Sequence, residues 1–166
     1  MQKKTGLVAA FYSVFSAYTM SAQENNPCAG FPKKHCMDTS AVKAHDDTYF
    51  YNAQSKGGLF TRGMTSTMRC VVYKGMEYRV TLCMQTDALG DSLHVVISDA
   101  RSKEILFDNA KEAFVNQIEF TVANTRQLLI EISVPEGNSA KSPVSACIGV
   151  LIEHRRHEVS GGFGAY

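Results

Sequence analysis

The feature that most constrains this chain is a strict two-residue alternation over residues 76–85, MEYRVTLCMQ. The even positions are apolar, and the odd positions are mostly polar or charged. Successive side chains of a β-strand point to opposite faces, so this pattern predicts a strand with one buried face and one hydrated face. We therefore expect Val80→Asp to unfold the protein and Thr81→Asp to be tolerated.

Shorter apolar and β-branched runs, separated by turn residues, recur from residue 49 onward. This spacing predicts an all-β protein, an antiparallel β-sandwich of jelly-roll-like type with eight or nine strands and at most one short helix, at 109–115. Lys74 and Gly75 fit a two-residue turn, which predicts a hairpin between the strands on either side of them. The other predicted strands are 49–53, 59–62, 68–73, 93–98, 104–107, 117–122, 128–134 and 146–154.

Residues 1–22 have the order of a secretory signal peptide. Lys3 and Lys4 precede an uncharged, mostly apolar stretch, which ends in small residues at Ala22. The stretch is too short for a transmembrane helix, which needs ~20 apolar residues. The alternative is an amphipathic helix at the N-terminus of the mature protein. A signal peptide predicts a mature chain from Gln23, without a transmembrane segment, that is periplasmic, displayed on the cell surface or secreted.

The rest of the chain divides by pattern into three parts. Residues 23–48 keep no strand or helix period, which predicts an irregular N-terminal segment. Residues 49–157 form the predicted β-sandwich domain. Residues 158–166 contain three glycines around one phenylalanine, which predicts a flexible tail.

Five cysteines fit an oxidising compartment, where disulfides persist. Cys28 and Cys36 lie close together in the irregular segment, which favours a local bridge between them. If residues 74–75 form a hairpin turn, Cys70 and Cys83 lie too far apart along the ladder to bond. Cys83 is then expected to pair with Cys147, which leaves Cys70 as a packed free thiol.

Two alternatives to this disulfide pattern remain open. The three cysteines of the strands could all be reduced core residues. Cys28, His35 and Cys36 could instead supply three zinc ligands, although no fourth ligand follows at the usual spacing.

The chain has no G-x-S-x-G, H-E-x-x-H, P-loop or dinucleotide-binding glycine motif, so we predict no catalytic residue, cofactor or metal. The run 154–157, HRRH, could bind an anion or hold a metal between its two histidines, or it could be a solvated strand end. The aromatic run 49–51 could stack on a sugar or a partner, or pack in the core. The predicted binding surface consists of Tyr49, Tyr51, His154, Arg155 and Arg156.

Acidic residues in two loops suggest calcium ligands. His45, Asp46 and Asp47 lie in a polar stretch, and Asp87 and Asp91 flank a turn. The first group could also hold a transition metal, but two acids in a polar loop are more often simply solvated. Turn formation explains Asp87 and Asp91 as well as calcium binding does.

Three segments carry a resemblance to a known family. Residues 51–60 (YNAQSKGGLF), 73–79 (YKGMEYR) and 149–154 (GVLIEH) resemble a family of small exported proteins of Bacteroidetes-type bacteria. The resemblance covers roughly residues 49–154. It implies a β-sandwich of the kind found beside enzymes or in envelope assemblies, and it implies no activity.

The charge balance narrows the choice of function. With 17 basic and 16 acidic residues, the chain has no broad cationic field for nucleic acid. The first hypothesis is a noncatalytic exported binding module, an accessory or partner-binding subunit of a cell-envelope assembly, with an envelope or outer-membrane protein as its partner. The alternative is a carbohydrate- or small-ligand-binding sandwich. An enzyme ranks third, because no nucleophile–base set is visible.

Overall fold

The computed structural model describes residues 26–37, 49–85, 89, 92–136 and 145–157, and these residues form nine strands. Each overlaps a predicted strand, although β2 and β3 both begin three residues earlier than predicted. Two short helical turns accompany the strands, a π-helical turn at Pro32–Cys36 and a 3₁₀ turn at Asn109–Lys111. The strands are β1 (Phe50–Tyr51), β2 (Lys56–Phe60), β3 (Thr65–Val72), β4 (Met76–Met84), β5 (His94–Asp99), β6 (Ile105–Asp108), β7 (Gln117–Thr121), β8 (Arg126–Ser133) and β9 (Ala146–Arg156).

The strands make two antiparallel sheets. In sheet A, β9 pairs with β4 on one side and with β1 and β2 in succession on the other, and β7 lies beyond β4. Sheet B has the order β3-β8-β5-β6. The orders β2-β9-β4-β7 and β3-β8-β5-β6 are those of a jelly roll, so the predicted fold class is confirmed.

The core lies between the two sheets. The even residues of β4 and β9 face it from sheet A, and those of β8 face it from sheet B, as period two requires. Tyr78, Ile130, Ile148 and Ile152 are among its fully buried members.

The predicted hairpin at Lys74 and Gly75 is wrong. A tight turn does occur there, with Gly75 at a φ of 77° and a hydrogen bond from the Met76 N–H to the Tyr73 carbonyl. However, β3 pairs with β8 in sheet B, and β4 pairs with β7 and β9 in sheet A. The turn therefore carries the chain across the sandwich, since neighbouring strands of a jelly roll commonly lie in different sheets.

The predicted helix at 109–115 is shorter than expected. The Asp108 side chain caps a single 3₁₀ turn by accepting a hydrogen bond from the Ala110 N–H. Asn109 is buried, accepts from the Val95 N–H and donates to the Leu93 carbonyl, both at 2.8 Å. These bonds fix the crossing of the chain from β6 to β7.

Residues 26–37 lie on the outer face of sheet A and are fastened to it by two disulfides. Cys28 bonds to Cys147 of β9, and Cys36 bonds to Cys83 of β4, each with a Cα–Cα distance of 5.4 Å. Gly149 lies beneath the segment, where a Cβ atom would come within 3.0 Å of the Phe31 ring. Glycine in mid-strand therefore allows this close approach.

The four predicted disulfide cysteines are bonded, but both predicted pairings are wrong. Cys28 and Cys36 lie on either side of one helical turn, and each reaches down to a different strand. Cys83 is level with Gly149, two residues beyond Cys147 along β9. Such diagonal neighbours are ~7–8 Å apart, which exceeds the span of a disulfide.

The same two disulfides decide the predictions for Cys70 and for a zinc site. Cys70 is a free, buried thiol as expected, and burial raises its pKa to about 11. The zinc alternative fails because Cys28 and Cys36 are oxidised, and the His35 ring stacks on Phe31 at 4.5 Å.

The expectation of a hydrated outer face on β4 is also wrong. Arg79 and Thr81, on that face, are as deeply buried as Val80 on the core face, with exposures of 3%, 4% and 2%. The disulfide-linked segment and Tyr49 cover them. We therefore expect both Val80→Asp and Thr81→Asp to be severely destabilising, because both carboxylates would be buried.

Candidate functional site

The outer face of sheet A carries a cluster of charged residues where β7, β4 and β9 lie side by side. The register places Arg79 between Glu119 and Glu153, and Glu77 opposite Arg155. These cross-strand neighbours form two groups of ion pairs, one around Arg79 and one between Glu77 and Arg155. We call Tyr49, Glu77, Arg79, Glu119, Glu153 and Arg155 the charged cluster.

Arg79 is the centre of this cluster. Its Nε atom lies 2.7 Å from Glu119 Oε1, and its second contact is a longer one, 3.9 Å from a terminal guanidinium nitrogen to Glu153 Oε2. Glu153 is almost fully buried, and burial raises the pKa of its carboxyl group despite the nearby Arg79 charge.

Tyr49 covers the side of the cluster that faces away from the sheet. Its ring lies 3.9 Å from the Arg79 guanidinium and 4.4 Å from that of Arg155, both cation–π distances. Burial, and then the charges of Glu119 and Glu77, raise the pKa of Tyr49 to about 12. The phenol therefore stays protonated at neutral pH.

The pKa of Glu77 is shifted in the opposite direction to that of Glu153. The hydrogen bond from Arg155 Nε, at 2.9 Å, holds the pKa of Glu77 below its usual range. Most charges of the cluster are paired, although among the described residues no hydrogen-bond donor reaches the buried Glu153 Oε2 atom.

The five residues of the predicted binding surface do not form one surface. Tyr49 and Arg155 belong to the charged cluster, and exposed Tyr51 lies beneath the Lys33 ammonium at 5.6 Å. His154 faces the other side of the sheet, where its ring is 6.0 Å from that of Tyr78. Arg156 is exposed at the end of β9.

The metal-site hypotheses gain no support. Strand β9 continues to Arg156, so His154 contacts Asn52 while His157 lies 4.0 Å from Glu77. The loop residues 45–47, 87 and 91 lie outside the described residues. Among the described residues, no three His, Cys, Asp or Glu side chains gather as metal ligands.

A second site, which the sequence did not indicate, is a cleft on the open side of the sandwich. It lies where edge strand β6 of sheet B meets edge strand β7 of sheet A, and its volume is about 340 Å³. The cleft reaches inward to core residues of β3 and β8. It is lined by Val72, Ile97, Leu106, Phe107, Ile118, Glu119, Phe120, Thr121, Val122, Ala123, Arg126 and Leu128.

The lining is mostly apolar, and its two charged residues are Arg126 and Glu119, whose carboxylate is bonded to Arg79. Nine of its twelve residues are apolar, and two of those are phenylalanines. Arg126 faces the interior from β8, and a terminal guanidinium nitrogen lies 3.7 Å from Asp99 Oδ2, beyond hydrogen-bonding distance. No sequence motif marks this cleft, because its two walls come from strands of different sheets.

These features define a jelly-roll β-sandwich with two disulfides and an apolar cleft between its edge strands. Within the part of the chain that the structure describes, no helix combines the length and the apolar character that crossing a membrane requires.

Comparison with known proteins was made by sequence and by structure. No family model matches the chain, and no curated protein matches it. The chain is similar to a solved structure of Aeromonas hydrophila PliG, a periplasmic lysozyme inhibitor of g-type lysozyme. The two are 15% identical over 65% of this chain and 90% of that chain, with a TM-score of 0.40.

Proposed function

We propose that this protein is a noncatalytic exported binding module that holds an apolar part of a partner molecule in the cleft between β6 and β7. The observation that carries the proposal is the cleft itself. Its volume of about 340 Å³ falls within the ~300–1,000 Å³ of typical ligand sites. Its largely apolar lining suits an apolar guest, and no nucleophile–base pair lines it.

The disulfides and the N-terminal sequence support export. The bonds join residues 119 and 47 positions apart, and such structural bridges persist in oxidising compartments. Residues 1–22 have the pattern of a signal peptide. A periplasmic, surface or secreted location makes an envelope or outer-membrane protein the expected partner, in agreement with the resemblance to small exported sandwich proteins.

Two neighbouring residues of β6 provide a test. Leu106 lines the cleft, whereas Ile105 does not, and both side chains are about half exposed. Leu106→Asp places a charge in the cleft, and Ile105→Asp is the matched control on the same strand. Neither change should affect folding, which thermal melts would verify.

The measurement is crosslinking and affinity purification from the native envelope, with mass spectrometry of the captured proteins. We expect a defined partner that Leu106→Asp loses at least tenfold and Ile105→Asp retains. Equal capture by the wild type and Leu106→Asp would exclude the cleft as the binding site. Absence of any specific partner would count against the binding module itself.

A second candidate is a small-ligand or carbohydrate site in the same cleft. It is favoured by the presence of Phe107 and Phe120 together with Arg126, since ligand pockets combine aromatic walls with a few polar groups. Native mass spectrometry of protein purified from its own envelope would decide between the two. A bound small molecule that Leu106→Asp loses would favour this candidate.

A further inference from the structure

We propose that the partner enters as an extended segment that adds a strand to the free edge of β7 and places every second side chain in the cleft. This inference rests on the proposed function and gives the partner a conformation and a chemistry. It makes β7 the recognition element of the protein.

The backbone of β7 presents a free edge on its outer side. The Val122 N–H donates to the Met76 carbonyl, and the Leu82 N–H donates to the Asn116 carbonyl. Hydrogen-bonded residues alternate with non-bonded ones in an antiparallel ladder, so the even residues of this stretch bond to β4. Gln117, Glu119 and Thr121 therefore direct their N–H and C=O groups away from β4. Among the described residues, no strand pairs with this edge.

The opposite side of the sandwich shows how this chain closes an edge. On β3, the Gln54 side chain accepts from the Val71 N–H at 2.7 Å and donates to the Val71 carbonyl at 2.9 Å. Its amide thus takes the place of a neighbouring strand. Exposed edges promote unwanted pairing, and proteins usually cover them. The described residues place no such cover on the edge of β7.

The cleft runs along this same edge. All residues from Ile118 to Ala123 line it, and Ile118 and Phe120 point inward. A strand added to β7 would continue sheet A over the cleft, and period two would send alternate side chains into it. Main-chain hydrogen bonds then supply affinity, and the cleft selects the inward side chains.

The positive charge of Arg126 indicates the chemistry of one end of the partner segment. Val72 is paired with Arg126, and Val72 and Val122 both line the cleft, so the guanidinium lies near the end of β7. Among the described residues, the ion pair of Arg126 is the long one with Asp99. A partner segment with apolar residues at every second position and a carboxylate at the Arg126 end matches the site.

Photocrosslinking would test strand addition directly. The probe is benzophenone-alanine, placed singly at position 117, 119 or 121 of the full chain in its native envelope. We expect crosslinks to one partner segment, at sites that move by about two residues for each step of two along β7. Scattered sites, crosslinks to this chain itself, or crosslinks to no protein would each overturn the proposal.

Proline substitution provides a second, independent test. Thr121→Pro removes an outward N–H that β4 does not use, and Thr121→Val keeps that N–H while removing the hydroxyl. We expect Thr121→Pro to show a cooperative thermal unfolding transition, as a folded protein does, and to capture the partner at least tenfold less than the wild type. Thr121→Val should capture as much partner as the wild type. If Thr121→Pro captures as well as the wild type, strand addition is wrong.

The two proposals fail in different ways. Suppose that Leu106→Asp loses partner capture, that the crosslinks are scattered, and that Thr121→Pro captures the partner as well as the wild type. The cleft would then be a binding site without strand addition. No specific capture by the wild type would overturn both proposals. If Thr121→Pro does not fold, the spacing of the crosslinks decides alone.

Discussion

The two faces of sheet A are buried by different means. The inner face packs against sheet B through aliphatic and aromatic side chains, and its burial follows from period two. The outer face carries Arg79, Glu153 and Thr81, and residues 26–37 cover it through disulfides to β4 and β9. Alternation in a strand therefore identifies one buried face but does not indicate whether the polar face is exposed.

The largest expected effects come from placing a carboxylate on each face of β4. Val80→Asp loses about 1.5–3 kcal/mol of burial and adds the cost of desolvating a charge. Thr81→Asp incurs the same desolvation at a site only 4% exposed. Since total stability is typically ~5–15 kcal/mol, both variants should be severely destabilised.

Thermal melts of the two variants would measure this, with Thr65→Asp on the exposed part of β3 as a control that should melt near the wild type. Val80→Asp should be somewhat worse than Thr81→Asp, because it also loses aliphatic packing. A Thr81→Asp protein as stable as the Thr65→Asp control would mean that the outer face is open to water.

Substitutions of the two partners of the buried ion pair should lower the free energy of unfolding by different amounts, both smaller than those above. Arg79→Met leaves Glu153 buried without its cation and should cost about 3–5 kcal/mol. Glu153→Gln leaves Arg79 bonded to Glu119 and should change stability by about 1 kcal/mol or less. Urea unfolding of both variants at pH 7 would measure the difference, and equal losses would contradict the central place of Arg79.

The pH dependence of the free energy of unfolding shows whether ionised Glu153 raises or lowers stability. The folded-state pKa of Glu153 is raised, so the folded protein binds this proton more tightly than the unfolded chain does. Its contribution therefore lowers stability as pH rises from the unfolded value, about 4.3, through the folded one. Glu153→Gln should remove that decline, and an unchanged pH profile would show that Glu153 is not buried as described.

The strands were predictable because each is short and strongly patterned. Their partners were not, because Lys74 and Gly75 specify a tight turn without specifying whether the chain returns in the same sheet. The fold class was still correct, since nine half-apolar strands have few ways to bury their faces.

The sites were less predictable than the fold. The choice of the four bonded cysteines was correct, but pairing depends on register, which placed Cys83 beside Gly149. A glycine in the middle of a long apolar strand was the one available signal that another segment lies against it. The cleft has no local signature, since it arises where the edges of two sheets meet.

Disulfide mapping tests most directly the claim that residues 26–37 are fastened over the outer face of sheet A. Two lysines lie between Cys28 and Cys36, so trypsin places these cysteines on separate peptides. Nonreducing mass spectrometry of protein from its native compartment should find Cys28 linked to Cys147 and Cys36 linked to Cys83. A link between Cys28 and Cys36, or between Cys83 and Cys147, would free the segment from the sheet and contradict the account.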